Sequence, residues 1–80
     1  METDLLAVSA CIITRNEAAK LRRCLACLSQ LVADIVVVDT GSQDETADVV
    51  AEVAVARYFY YEWRDDFSLA RNYALKQAKY

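Results

Sequence analysis

Ile35-Val36-Val37-Val38-Asp39-Thr40-Gly41-Ser42-Gln43-Asp44-Glu45-Thr46 carries the densest chemistry in the chain, because an apolar run ends in a carboxylate, the only glycine and a helix-start signal. Four β-branched residues before Asp39 suit a strand buried on both faces. On that reading Asp39 is the first residue to leave the core, placed where a carboxylate can accept a hydrogen bond from a ligand. Such charge-assisted bonds are roughly twice as strong as neutral ones. An aspartate after a strand also caps the following turn, so both roles stand open. Gly41 permits a positive φ or close approach of a ligand to the backbone. Asp44 falls in the first turn of the next helix, where a negative charge meets the helix dipole.

The elements that position these groups follow from periodicity. Val8-Ser9-Ala10-Cys11-Ile12-Ile13 reads as a strand, and Thr14 with Glu17 has the spacing of a capping box, which by itself explains both residues without a ligand. Leu21, Cys24, Leu25 and Leu28 then recur on one helical stripe. Residues 35–38 form the second strand, and Ser42 with Glu45 repeats the capping-box spacing. Thr46, Val49, Val50 and Val53 share a face of the next helix, although valines lower its propensity. Residues 57–61 are aromatic strand formers, and Asp65, Asp66 or Ser68 caps a last helix reaching Lys79.

The order βαβαβα predicts an α/β fold, a parallel sheet with right-handed crossovers and helices covering its faces. Ligands of such sheets sit outside the carboxyl ends of the strands. There the segments 14–17 and 39–44 should lie side by side.

Composition narrows the partners. Eighty residues make one domain, 1–80, that buries only roughly 60% of the surface its unfolded chain exposes. With 9 basic and 12 acidic residues, a net charge of -3 and no Lys/Arg-rich stripe, nucleic acid is not an expected partner. Three cysteines and no histidine cannot build a four-ligand zinc site, and an odd count argues against a secreted disulfide framework. Met1-Glu2-Thr3-Asp4 lacks a signal peptide's positive start, and no apolar run approaches the roughly 20 residues of a membrane span, so cytoplasmic residence is expected. Cys24-Leu25-Ala26-Cys27 has redox spacing but lies mid-helix, away from the N-terminus that lowers a thiol pKa. These cysteines, and Cys11, are expected as small apolar core residues.

Three motifs in order, Ile12-Ile13-Thr14-Arg15-Asn16-Glu17, Val38-Asp39-Thr40-Gly41-Ser42-Gln43-Asp44-Glu45-Thr46 and Asp66-Phe67-Ser68-Leu69-Ala70-Arg71-Asn72, resemble family 2 glycosyltransferases of the GT-A fold. The resemblance runs through nearly the whole chain and implies a Rossmann-like α/β fold, a three-stranded parallel sheet in order 3-2-1 with flanking helices. It implies a nucleotide-diphospho-sugar donor, often a UDP-sugar, and inverting transfer of the sugar to an acceptor hydroxyl. It also implies that Asp39 accepts from the base edge, that Thr14, Arg15 and Glu17 border base and ribose, and that Arg71 flanks the base or phosphates. Gly41 and Asp44 complete the implied nucleotide-binding set. The family's Asp-x-Asp metal motif, which holds Mg or Mn, its catalytic base and its acceptor-binding half would all follow this segment. The chain is therefore expected to be an incomplete GT-A domain that does not catalyse transfer by itself.

Other readings remain beside it. The chain can be a truncated α/β fragment with weak or no nucleotide binding. Asp39-Thr40-Gly41 also matches the loop of aspartic proteases, whose small forms pair two such aspartates by homodimerising. A dinucleotide-binding fold is disfavoured because no G-x-G-x-x-G follows the first strand. Asp65-Asp66 reads as helix capping rather than a metal site. Relatives commonly have a glycine before the third strand, where Val53-Ala54-Val55-Ala56 stands here, which leaves the second helix's end undefined. An uncovered apolar first strand predicts a homo-oligomer through that edge, or through exchange of the last helix.

Overall fold

The computed structural model describes residues 5–80; residues 1–4, which entered the argument about a leader, lie outside them. Six elements alternate in the expected order: β1 (Leu6–Thr14), α1 (Ala18–Leu28), β2 (Val32–Asp39), α2 (Thr46–Ala51), β3 (Ala56–Tyr60) and α3 (Phe67–Gln77). The strands make one parallel sheet with β2 in the centre, order β1-β2-β3. Thr14 stands opposite Asp39 and Asp39 opposite Tyr60, so all three strands end at one level.

The apolar run of β2 dictates this layering. Ile35, Val36, Val37 and Val38 are fully buried, and alternation sends successive side chains to opposite faces. Ile35 and Val37 pack with Ala18, Leu21 and Leu25 of α1 and Val49 and Val50 of α2. Val36 and Val38 meet Ala74 of α3, with Ile13, Phe59, Tyr61 and Tyr73 around them. Each such burial contributes roughly 1.5–3 kcal/mol, so β2 anchors both layers.

The two layers are unequal. On the α3 side only Ala70 and Ala74 of the helix are buried, while Phe67, Leu69 and Leu75 are exposed. Aromatic packing takes over there, with Tyr73 against Tyr61 at 4.8 Å between ring centroids and edge-on to Phe59 at 6.3 Å. Among the described residues the outer edge of β1 has no partner strand, and its Leu6 and Val8 are exposed.

This uncovered edge corrects the reading of the cysteines. All three are free and exposed. Cys24 lies about 60° around the helix from Leu21, at the rim of the stripe, where it borders an open hollow with Ile12 and Ile13 of β1. The buried stripe is Ala18, Leu21 and Leu25, with Leu28 partly covered. Cys11 faces α3, where its thiol donates to the Ala74 carbonyl at 3.8 Å, but the helix does not extend over it.

Element boundaries shift as well. β1 and β2 run longer than the apolar cores that announced them, α2 ends at Ala51 and leaves Val53 in the following turn, and α3 stops at Gln77 rather than Lys79. The last of these has a polar cause. Asp34, buried in β2, receives Arg57 Nε and Nη2 at 3.0 Å each, Ser9 Oγ at 2.6 Å and the Lys79 amide at 3.0 Å. Arg57 Nη2 also donates to the Gln77 carbonyl at 2.5 Å, so the chain leaves the helix to join this network. Among the described residues no helix is long and apolar enough to cross a membrane.

Candidate functional site

The site is built where β1 and β2 end side by side. Beyond the strands, Thr40 continues the pairing: its amide and Oγ1 donate to the Thr14 carbonyl at 3.1 and 3.3 Å, and the Tyr61 amide donates to the Asp39 carbonyl at 2.9 Å. Thr14 is thus the buried last residue of β1 and not a helix cap. The two loops that follow, one after each strand, are held together by side chains.

Asn16 and Asp44 do the holding. Asn16 takes a left-handed φ of 51°, which asparagine tolerates better than most residues. Its amide donates to Ser42 Oγ at 2.8 Å, and its Oδ1 accepts from the Gln43 amide at 2.6 Å. Asp44 Oδ2 accepts from the Ala18 amide at 3.2 Å, while Oδ1 accepts from the Thr46 amide at 3.0 Å and from the Thr46 hydroxyl. One carboxylate therefore serves the first turns of α1 and α2 together. The Thr46 hydroxyl bond, then the two amides, hold its carboxyl below the ordinary range.

Both predicted capping boxes are corrected by this arrangement. Glu17 and Glu45 occupy the cap positions of α1 and α2 without side-chain cap bonds, because Asp44 already takes amides of both first turns. Glu17 instead pairs with Lys20 at 3.5 Å on the exposed surface. Ser42 is spent on Asn16 rather than on its own helix.

Asp39 is the second correction. Only 2% exposed, it has not left the core. Its carboxylate turns back into its own loop: Oδ1 accepts from the Gly41 amide at 3.0 Å and the Ser42 amide at 2.8 Å, and Oδ2 accepts from the Tyr58 hydroxyl at 2.5 Å. Gly41 makes the curl possible with φ of 121°, a region that strains any other residue. Burial alone would raise the carboxyl's pKa, but the Tyr58 hydroxyl and the Ser42 and Gly41 donors outweigh it and hold the group ionised. Burial and the adjoining Asp39 charge push the Tyr58 phenol up to about 12. Sequence reasoning assigned no role to Asn16 or Tyr58; the only advance signal was asparagine's tolerance of left-handed backbone.

The remaining expected residues divide between hollows. Glu17 and Asp44 line an open one of about 550 Å³ with Asn16, Lys20 and Glu45. Three carboxylates against one ammonium make it a poor seat for a diphosphate. Thr14 and Glu17 border a second of about 130 Å³ beside Cys24. Arg71 lines a third, about 160 Å³, with Cys11, Ile13 and Phe67 on the α3 side, its guanidinium carbon 5.0 Å from the Phe67 ring centroid. Arg15 is exposed on the first loop. The structure thus gathers Thr14, Glu17, Asp39, Gly41 and Asp44 at the two clasped loops and sets Arg71 across the sheet.

Among the described residues no three of His, Cys, Asp or Glu gather to hold an ion. Asp66 caps α3 by accepting from the Ser68 amide at 2.9 Å, and Asp65 accepts from the Trp63 indole at 3.0 Å. The parallel α/β sheet removes the aspartic-protease reading as well, which requires all-β lobes.

An open parallel sheet with flanking helices and clasped loops at its carboxyl ends defines a small Rossmann-like α/β domain. The family model for glycosyl transferase family 2 matches residues 9–80, and the chain belongs to that family. A TPR repeat-containing protein of Synechococcus elongatus is 46% identical over 71 residues, 89% of this chain and 17% of that protein. The SPbeta prophage-derived glycosyltransferase SunS of Bacillus subtilis is 30% identical over 78 residues, 96% of this chain and 18% of its own length. The lipopolysaccharide core biosynthesis glycosyltransferase LpsC of Rhizobium meliloti is 40% identical over 76 residues, 90% of this chain and 27% of its own. The chain therefore spans between 17% and 27% of the length of these relatives.

Proposed function

We propose that this segment recognises the nucleoside diphosphate of a sugar donor, a UDP-sugar, for inverting transfer of the sugar to an acceptor hydroxyl. The observation that carries the reading is the pair of clasped loops at the tips of adjacent parallel strands, with a buried ionised carboxylate at their root. A uracil imide N–H is a donor, and Asp39 Oδ2 is the acceptor that suits it. Thr14, Arg15 and Glu17 border the base and ribose, and Gly41 lets the ligand approach the backbone. Asp44 acts through the loops it ties rather than by touching the donor. Negative charge around the larger hollow steers the diphosphate toward Arg71, whose planar fork suits phosphate. None of these residues is assigned a proton transfer; the part played here is recognition. Membership of the glycosyltransferase family and the names of SunS and LpsC support the reading. Three free thiols fit a reducing compartment, consistent with cytoplasmic residence.

Titration of the 80-residue chain with uridine diphosphate, followed by amide NMR, tests it. Weak, saturable shifts at Thr14, Arg15 and Gly41 are expected. Unmoved resonances there would establish instead an inert scaffold, the reading that the internally satisfied Asp39 carboxylate favours.

A further inference from the structure

The two oxygens of Asp39 are satisfied in different ways. Oδ1 is held by the Gly41 and Ser42 amides, and the Ser42 side chain is itself bound to Asn16, so these donors cannot leave without dismantling both loops. Oδ2 receives one side-chain donor, the Tyr58 hydroxyl. Tyr58 lies opposite Val37 on β3, an edge strand among the described residues, and is 38% exposed, whereas Asp39 beneath it is 2% exposed.

We propose that Tyr58 is a displaceable cover over Asp39, its phenolic O–H occupying in the free chain the acceptor that the imide N–H of a uracil base takes in the complex. The inference rests on the nucleotide reading above. Binding is then an exchange of donors, phenol for imide, at one carboxylate oxygen. The exchange keeps the buried carboxylate bonded in both states, and leaving it unbonded would be the costly alternative. An accessible ring on an edge strand can turn outward on the timescale of ordinary side-chain motion. No other donor of Asp39 has that freedom, because the Gly41 and Ser42 amides belong to the main chain and the Ser42 hydroxyl is tied to Asn16 across the two loops.

The consequence is counterintuitive for a residue bonded to the site's central carboxylate. Removing the hydroxyl strips the free chain of a competitor, so Tyr58→Phe should bind uridine diphosphate more tightly, by about tenfold, the lower range for a hydrogen bond to a charged group. Tyr60→Phe, an exposed neighbour on the same strand with no bond to Asp39, should bind as the parent does. In parent chain labelled with ¹³C-tyrosine, the Tyr58 Cζ resonance should move to the free-phenol position at saturating uridine diphosphate while that of Tyr60 stays. Unchanged or weaker binding by Tyr58→Phe overturns the cover, as does a Cζ resonance that stays put in the saturated parent. Failure of every variant to bind nucleotide overturns the nucleotide reading itself, and the cover with it.

Discussion

Asp34 and Asp39 stand on the same central strand, both almost wholly buried and both held as carboxylates below their usual range, yet they are answered by different partners. Asp34 faces the α3 layer and is neutralised by a two-pronged Arg57, with Ser9 and the Lys79 amide completing its shell. It joins all three strands and the segment after α3 at the far end of the sheet. Asp39, on the opposite face and at the carboxyl end of the strand, takes part in no ion pair among the described residues. Hydrogen-bond donors alone satisfy it, one of them an exposed side chain. A carboxylate neutralised inside the fold is closed to ligands. One satisfied by donors alone keeps its charge, and a movable donor leaves it open to exchange.

The largest effect should come from breaking the neutralised site. Asp34→Asn leaves Arg57 without its counter-charge, and removing one partner of a buried pair costs about 3–5 kcal/mol; with Arg57 32% exposed, about 3 kcal/mol is expected in urea denaturation. A loss below about 1 kcal/mol would reduce the pair to an ordinary surface contact.

Acid should expose the same contrast. Burial alone would raise the Asp34 carboxyl, but Arg57, Ser9 and the Lys79 amide outweigh it and lower the pKa from 3.8 to about 2. A carboxyl depressed in the folded state stabilises fully above its unfolded pKa, and that contribution is lost as pH falls through the folded value. Between about pH 4 and pH 2 the chain should therefore lose about 2 kcal/mol through Asp34, with Asp39 adding in the same direction. Denaturation at stepped pH should show this slope in the parent and a shallower one in Asp34→Asn.

The smallest effect on folding should separate the two sites by function. Asp39→Asn keeps a carbonyl oxygen for the Gly41 and Ser42 amides and should cost only about 1 kcal/mol. Its amide nitrogen then meets the uracil donor with a donor, so affinity for uridine diphosphate should fall at least about tenfold. Asp34→Asn, assayed at a temperature where it remains folded, should leave that affinity unchanged. Equal losses in both variants would erase the distinction drawn between them.

Much of this was legible in advance because burial leaves a local record. A β-branched run ending in Asp-Thr-Gly-Ser announces a doubly buried strand and a tight loop, and the alternation of strand and helix signals fixes a parallel sheet. Gly41 was legible for the same reason, since a positive φ demands glycine. The capping boxes misled because spacing records only what a residue can do along its own segment. Asp44 reached Ala18 from the neighbouring loop, and no periodicity within either segment announces a bond across 26 positions.

The sequence by itself determined the element order, the doubly buried strand and the tight loop that follows it, since these depend on hydrophobic period and local backbone preference. Tertiary structure decided which polar groups answer one another: Asp44 to two helices, Arg57 to Asp34, Tyr58 to Asp39. It also decided that the cysteines lie outside the core, because the reach of the layers over β1 is a property of the assembled sheet. Hydrogen bonds and ion pairs act over a few ångströms in space, whatever their separation in sequence, so partner choice emerges only once the strands are side by side.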